Sequence, residues 1–269
     1  MAVRGGRLYV LTKDANAELK VYSIVNPRIA PQPVTTYDLP GTFLGRRLAL
    51  QGHSLHVSAA YTGNFWEHQL YSFDVSNSGS LVLENTADDI QSMNQMAFFG
   101  TGMYIASAND SSELRYVQIQ QSGTYLTPFN GYNLSDRTFD GLTIAVAGTS
   151  AILGTQRDPL TQEMVLFDVK NGVTGVTPAW YYEASGSVVG IDMDPNRCYA
   201  FLSVFSGHNA FQVVNMRNKT TLPRLNSQYD SASGLSRGLV YDPLRDRVYV
   251  LTDNAVIIFK PAAAGATCP

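Results

Sequence analysis

The chain has 269 residues, a net charge of −3 and 15% charged residues, against about 25% in an average soluble domain. With no basic run, that balance excludes a polyelectrolyte attraction to nucleic acid, and 45% hydrophobic residues exclude disorder. No stretch of 18 apolar residues is present, so this segment makes no helical membrane insertion, and two cysteines are too few for a disulfide scaffold.

In chain order the elements are short strands. The start, "MAVRGGRLYVLT", lacks the apolar core of a signal peptide and enters strand-like sequence at once. "LKVYSIV" follows, then a proline-stiffened link, then "VTTYDLP". The prolines fit an outer edge strand, where a missing N–H costs little. The grammar then returns. "RRLALQG", "HSLHVSAA", "QLYSFDVS" and "SLVLENT" make a second unit. "NQMAFFG", "TGMYIASA", "ELRYVQIQ" and "TYLTPFN" make a third. "LTIAVAG", "TSAILGTQ", "EMVLFDVK" and "TPAWYY" make a fourth. "VVGIDMDP", "NRCYAFLS", "AFQVVNM" and "TTLPRL" make a fifth, and "RGLVYDP", "DRVYVLT" and "AVIIFKP" a sixth.

Aligned on the second strand, the equivalent positions are Tyr9, His56, Tyr104, Ile152, Tyr199 and Tyr249, spaced by 47, 48, 48, 47 and 50 residues. Four short strands per unit at that period predict propeller blades. The expected fold is all-β, a six-bladed β-propeller of four-stranded antiparallel blades in one domain over 1–269. The blades span about 1–41, 42–90, 91–138, 139–185, 186–233 and 234–269. A seven-bladed ring is the runner-up. After "AVIIFKP" only "AAAGATCP" remains as a fourth strand. Either it closes the ring weakly or residues precede Met1.

"VYSIVNPRIAPQPVTTYDLPG" resembles the LVIVD repeat, a strand ending near Asn-Pro, a Pro-containing link, a strand and a turn. "YSFDVSNSGSLVLEN", "VLFDVKNG", "YIASANDSSELRYVQI" and "FDGLTIAVAGTSAILGTQ" look like further copies. In "IDMDPNRCYAF" and "VYDPLRDRVYVL" the pattern gives way to more generic YVTN- or NHL-like turns. The resemblance implies a propeller of bacterial cell surfaces, pilin-anchored or secreted. It implies an extracellular location and assembly into a pilus or surface array through a segment before Met1. The partner it implies is a protein or carbohydrate on a surface.

In such a blade the loops between strands two and three share a face with the entrances to strand one, and that face is where a site is expected. The entrances carry Arg46, Arg47, Asn94, Gln95, Asp140, Ser187 and Arg237. The loops carry Asp14, Glu67, Asp110, Glu113, Asp158, Glu163 and Asp253, with His68 and His208. "YTGNFWEH" places three aromatics in one loop, a stacking platform or a staple onto the next blade. The ligand-binding set is therefore Tyr61, Phe65, Trp66, Asp158, His208 and Asn209. The expected function is a non-catalytic binding or adhesion head. The alternative is a metal-dependent hydrolase of the lactonase kind, which needs several oxygens converging on Ca²⁺ or Zn²⁺. Its candidate ligands are Asp110, Asp140 and Asp253. No cofactor is expected beyond a structural Ca²⁺. His53 and His56, three apart on a turn and a strand, face apart and form no metal pair.

Cys198 opens strand two of the fifth unit, on the face opposite the loops, and the tail bearing Cys268 starts on that same face. A Cys198–Cys268 disulfide is within reach of an extended tail and would pin it.

Overall fold

The computed structural model describes residues 1–14, 16–26, 32–40, 43–61, 68–77, 80–87, 93–108, 112–120, 125–134, 140–156, 162–169, 177–205, 210–217, 224–226 and 235–260. They form strands throughout, and none of them lies in a helix long and apolar enough to cross a membrane. The strands make six antiparallel sheets, each in sequential order, and the fold is a six-bladed β-propeller. The chain divides into two compact units, one of Met1–Ser107 with Tyr116–Asn130, the other of Ala108–Arg115 with Gly131–Pro269.

In the first unit, blade 1 comprises β1 (Ala2–Arg4), β2 (Arg7–Leu11), β3 (Leu19–Ser23) and β4 (Pro33–Tyr37). Blade 2 comprises β5 (Phe43–Gln51), β6 (Ser54–Tyr61), β7 (His68–Asp74) and β8 (Val82–Ala87). Blade 3 is β9 (Met93–Phe99), β10 (Gly102–Ser107), β11 (Leu114–Ile119) and β12 (Tyr125–Tyr132). The second strands of blades 2 and 3 are buried on both faces. Every residue of β10 is buried, which is why these strands read as apolar runs and not as alternating patterns. Leu19, Leu55, Val57, Tyr71 and Phe73 fill the space between blades 1 and 2, and Leu70, Met93, Met103 and Ile105 that between blades 2 and 3. A polar tie crosses the latter: the fully buried His56 lies 2.7 Å through Nδ1 from the Tyr125 hydroxyl.

In the second unit, blade 4 is β13 (Gly141–Ala147), β14 (Ser150–Thr155), β15 (Met164–Asp168) and β16 (Thr177–Tyr182). Blade 5 is β17 (Ser187–Asp194), β18 (Tyr199–Phe205), β19 (Phe211–Asn215) and β20 (Arg224–Asn226). Blade 6 shows three strands among the described residues, β21 (Ser236–Asp242), β22 (Arg247–Thr252) and β23 (Val256–Phe259). Ile152, Leu166, Val188 and Leu202 pack blade 4 on blade 5, and Phe201, Phe211, Val248 and Val250 pack blade 5 on blade 6. Gly190 lets strand one of blade 5 approach that of blade 6, because a Cβ there would lie 2.9 Å from Gly238 Cα.

The turn between strands one and two differs along the chain, and this corrects the repeat alignment. In blades 2 to 4 it is short, with a left-handed glycine at Gly52, Gly100 and Gly148. In blades 5 and 6 an Asp-Pro turn replaces it. Asp194 Oδ1 accepts the N–H groups of Asn196 and Arg197 (3.0 and 3.3 Å), and Asp242 Oδ1 those of Leu244 and Arg245 (2.9 and 3.1 Å). Each turn closes on a left-handed residue, Cys198 or Asp246. The longer turn shifts the strand, and the blade 5 counterpart of Tyr9 is Phe201, not Tyr199. Three residues past Tyr9, Ile152, Phe201 and Tyr249, the N–H groups of Thr12, Thr155, Val204 and Thr252 bond to the residues before strand three, at 2.7 to 2.8 Å. The spacings become 47, 48, 48, 49 and 48.

These turns also clamp blade 5 to blade 6. Arg197 pairs with Asp194 on its own turn and with Asp246 on the next, and donates to the Tyr241 hydroxyl at 2.8 Å. Asp192 Oδ2 accepts the Tyr241 N–H at 2.8 Å.

Candidate functional site

Strand one carries the same irregularity in blades 2 to 6: one extra residue breaks its ladder with strand two near the loop face. The extra residues are Arg46, Asn94, Leu142, Val189 and Arg237. A bulge of this kind re-aims a side chain and recurs beside active sites. In blade 6 it carries charge. Arg237 Nε lies 2.5 Å from Asp253 Oδ1, at the end of strand two. Asp253 Oδ2 accepts the Leu235 N–H at 3.3 Å, and its own N–H donates to the Leu235 carbonyl at 3.1 Å. The guanidinium carbon sits 5.1 Å from the Phe205 ring centre, contributed by blade 5, and a flat cation over an aromatic face is held in orientation. Below this pair Ser203 and Ser236, both fully buried, share a hydrogen bond of 2.6 Å.

The Arg237 hydrogen bond, assisted by the Leu235 N–H, holds the Asp253 carboxyl below its usual range, outweighing slight desolvation. Asp253 is therefore a carboxylate at neutral pH. Its side chain is 35% exposed and that of Arg237 50%, so both reach solvent. The pair offers an ionised carboxylate beside a planar cation with further N–H donors, enough to orient water and to meet a developing oxyanion.

In blade 4 the backbone of Asp140 and Gln156 repeats the Leu235–Asp253 link, Gln156 N–H donating to the Asp140 carbonyl at 3.0 Å. Asp140 thus stands where blade 6 has Leu235, and Gln156 where it has Asp253. Among the described residues no three acidic, histidine or cysteine side chains come together as a cation site. Asp253 has committed both oxygens to Arg237 and Leu235, a poor fit to a metal ligand. Asp110 lies outside the described residues, as do Phe65, Trp66, Asp158, His208 and Asn209. Tyr61 ends β6 and His68 begins β7. Cys198 is engaged in a disulfide, and Cys268 lies outside the described residues.

Two loop acids prove to be braces. Glu113 and Glu163, with Glu18, are buried just before or at the start of strand three. Each Oε2 accepts the N–H of the residue 21 positions on, past the end of strand four: Leu39 (3.0 Å), Leu134 (2.8 Å) and Ala184 (2.9 Å). The signal was present in the sequence as a glutamate recurring before strand three. Burial pushes the Glu163 carboxyl up to about 7, against the pull of the Ala184 N–H, and the hydrogen-bonded Glu183 carboxyl beside it adds to the rise.

No family model matches the chain, and no curated protein matches it. Solved structures do. A protein of unknown function from Desulfotomaculum acetoxidans superposes at a TM-score of 0.70 and 12% identity, over 96% of this chain and 77% of that one. A candidate 6-phosphogluconolactonase from Bacteroides uniformis gives 0.70 and 14%, over 97% and 80%. The periplasmic gluconolactonase of Pseudomonas aeruginosa gives 0.71 and 12%, over 97% and 80%. At these identities the likeness is one of fold. It nonetheless overturns the expectation of a non-catalytic adhesion head, because two of these three neighbours bear lactonase names.

Proposed function

We propose that the chain is a lactone hydrolase working on its loop face, with a sugar-acid lactone as the substrate class. The observation that carries this is the Arg237–Asp253 pair at the bulged entrance of blade 6, in a fold whose solved neighbours bear gluconolactonase names. Lactone opening needs water made nucleophilic at the ring carbonyl carbon and a cation for the tetrahedral oxyanion. Asp253 orients the water and takes its proton. Arg237 keeps its remaining N–H groups for the carbonyl oxygen as charge builds there. Breaking the ring C–O bond then returns the proton to the departing alkoxide, giving the hydroxy acid. The ion pair makes Asp253 a weak base in the resting state, and it strengthens as the guanidinium turns toward the oxyanion. No step is assigned to a metal.

The test is proton release from glucono-1,5-lactone and its 6-phosphate, followed in a pH-stat over the spontaneous rate, with chelator and with added Ca²⁺ or Zn²⁺ as separate arms. The wild type should accelerate opening of one of them, and Asp253→Asn should lose about 10²-fold. Wild-type protein that leaves both lactones at the spontaneous rate in every arm overturns the reading.

A further inference from the structure

Where one blade packs on the next, a layer of side chains lies at the residue that precedes each strand-one bulge. In the first unit that residue is Gly45 of blade 2, and it meets Leu11 of blade 1: a Cβ on the glycine would lie 2.6 Å from Leu11 Cδ2. Between blades 4 and 5 the sizes are reversed, and a Cβ on Gly154 would lie 2.7 Å from Val188 Cγ1. Both contacts seat a branched apolar side chain against a glycine. Between blades 5 and 6 the same register brings Ser203 to Ser236, two fully buried hydroxyls joined at 2.6 Å. Packing alone does not call for hydroxyls at this place. A buried hydroxyl is costly unless it is bonded, and an apolar pair fills the layer without that demand. A hydrogen bond adds direction, because it weakens steeply with angle, whereas an apolar contact tolerates sliding.

The residue after Ser236 is Arg237, the bulged residue itself. Asp253 of its own blade pins the segment through the Leu235 N–H and carbonyl, and Ser203 pins it from blade 5. Ser203 does not act alone on its strand. Phe201, Ser203 and Phe205 alternate along β18 and so share one face, the face toward blade 6. Phe201 packs with Val248 and Val250, Ser203 bonds Ser236, and the half-buried Phe205 carries the Arg237 guanidinium 5.1 Å from its ring centre. Going outward, β18 offers an apolar anchor, a directional bond and an aromatic plate.

From this arrangement we infer that Ser203, Ser236 and Phe205 are positioning residues for Arg237: the serine pair sets where the bulge opens, and the Phe205 ring sets the plane of the guanidinium. With Nε held by Asp253 and the plane held by the ring, the terminal nitrogens of the rigid fork are presented in one orientation. A donor to a developing oxyanion is effective to the degree that it is in place before the reaction. Blade 5 thus aims a cation that blade 6 supplies. The use of that aim on a lactone oxyanion rests on the function proposed above, whereas the aim itself does not.

The first arm reads Arg237 directly. Its Nε–H is assigned by NMR as the arginine signal lost in Arg237→Lys, and its exchange with water is measured in the full chain. Ser203→Ala/Ser236→Ala removes both hydroxyls and strands no polar atom. Ser203→Gly/Ser236→Val installs the packing found between blades 4 and 5. Phe205→Leu removes the ring at a half-buried position and serves if the serine pairs unfold. Each should speed Nε–H exchange by roughly fivefold or more, and Phe205→Tyr, which keeps the ring, should retain the wild-type rate. Wild-type exchange in Phe205→Leu, or in a serine pair that folds, overturns the positioning role. The second arm follows lactone opening. In an active enzyme each of the three changes should lower kcat about tenfold with KM little altered, as expected of a donor moved off its place. Faster exchange with unchanged kcat overturns the catalytic use of the placement. Faster exchange in a protein that opens neither lactone keeps the positioning and removes the lactonase reading.

Discussion

Glu163 shows how one buried carboxyl links local geometry to pH. Its ordinary value is 4.5 and in the fold it is about 7, so the fold favours the protonated form. Stability from this group is complete below pH 4.5 and is lost as pH rises through about 7. Glu163→Gln keeps an acceptor for the Ala184 N–H and a donor toward Glu183 without a charge. Its melting temperature should match the wild type at pH 5 and exceed it at pH 8. Parallel curves for the two proteins would show that Glu163 is not the group being titrated. His56 runs the other way. Burial lowers it to about 4, so its contribution is present above pH 6.5 and is lost as pH falls through 4. Its ring resonances should stay in the neutral position down to pH 5, and a midpoint near 6.5 would contradict the buried tie to Tyr125.

At this scale the sequence named Arg237 and Asp253 but not their pairing. The pairing depends on which residue of strand one is extra, and a bulge leaves no mark in an apolar–polar pattern. The exposed-looking acids were misjudged for a related reason. Glu113 and Glu163 read as loop residues, because the backbone N–H each one satisfies lies 21 residues away.

Among elements, the strands and their order were legible because the second strands of blades 2 to 5 are almost wholly buried and each turn is marked by Gly or Asp-Pro. The blade 5 register was not, since Tyr199 imitates Tyr249 while the four-residue turn shifts the strand under it. The same turns make the blade 5–blade 6 clamp. Arg197 is 11% exposed, Asp194 3% and Asp246 44%. Arg197→Met should cost about 2–3 kcal/mol in urea unfolding, below the roughly 3–5 for a pair fully removed from water. A loss under about 0.5 kcal/mol would mean the clamp is surface decoration. Two glycines separate close packing from mere composition. Gly190→Ala sets a Cβ against the Gly238 and Leu239 backbone and should cost about 1–3 kcal/mol, whereas Gly238→Ala meets nothing within 4 Å and should be tolerated. Equal effects would refute the close approach of the two strands.

For the whole molecule, composition pointed to architecture and misdirected function. Low charge and abundant Ser, Thr and Asn describe a propeller surface, adhesive or catalytic alike, because function resides in a few side chains set on the fold. The disulfide is a property of this scale. Native protein treated with an alkylating agent without reductant should show no modified thiol by intact mass, and two modified thiols would overturn the bridge. Cys198→Ser should lower the melting temperature, since a cross-link restricts the unfolded chain.

The glutamate braces carry a consequence for how the chain reaches this state. Each closes a loop of only 21 residues, within a single blade. Short closures lose little chain entropy, and folding rates rise as contacts become more local in sequence. Sheets are ordinarily slow to assemble because their partners lie far apart along the chain. Here the meanders of blades 1, 3 and 4 can zip and brace themselves before they find their neighbours. The slow phase of refolding then belongs to docking between blades and not to strand pairing within them.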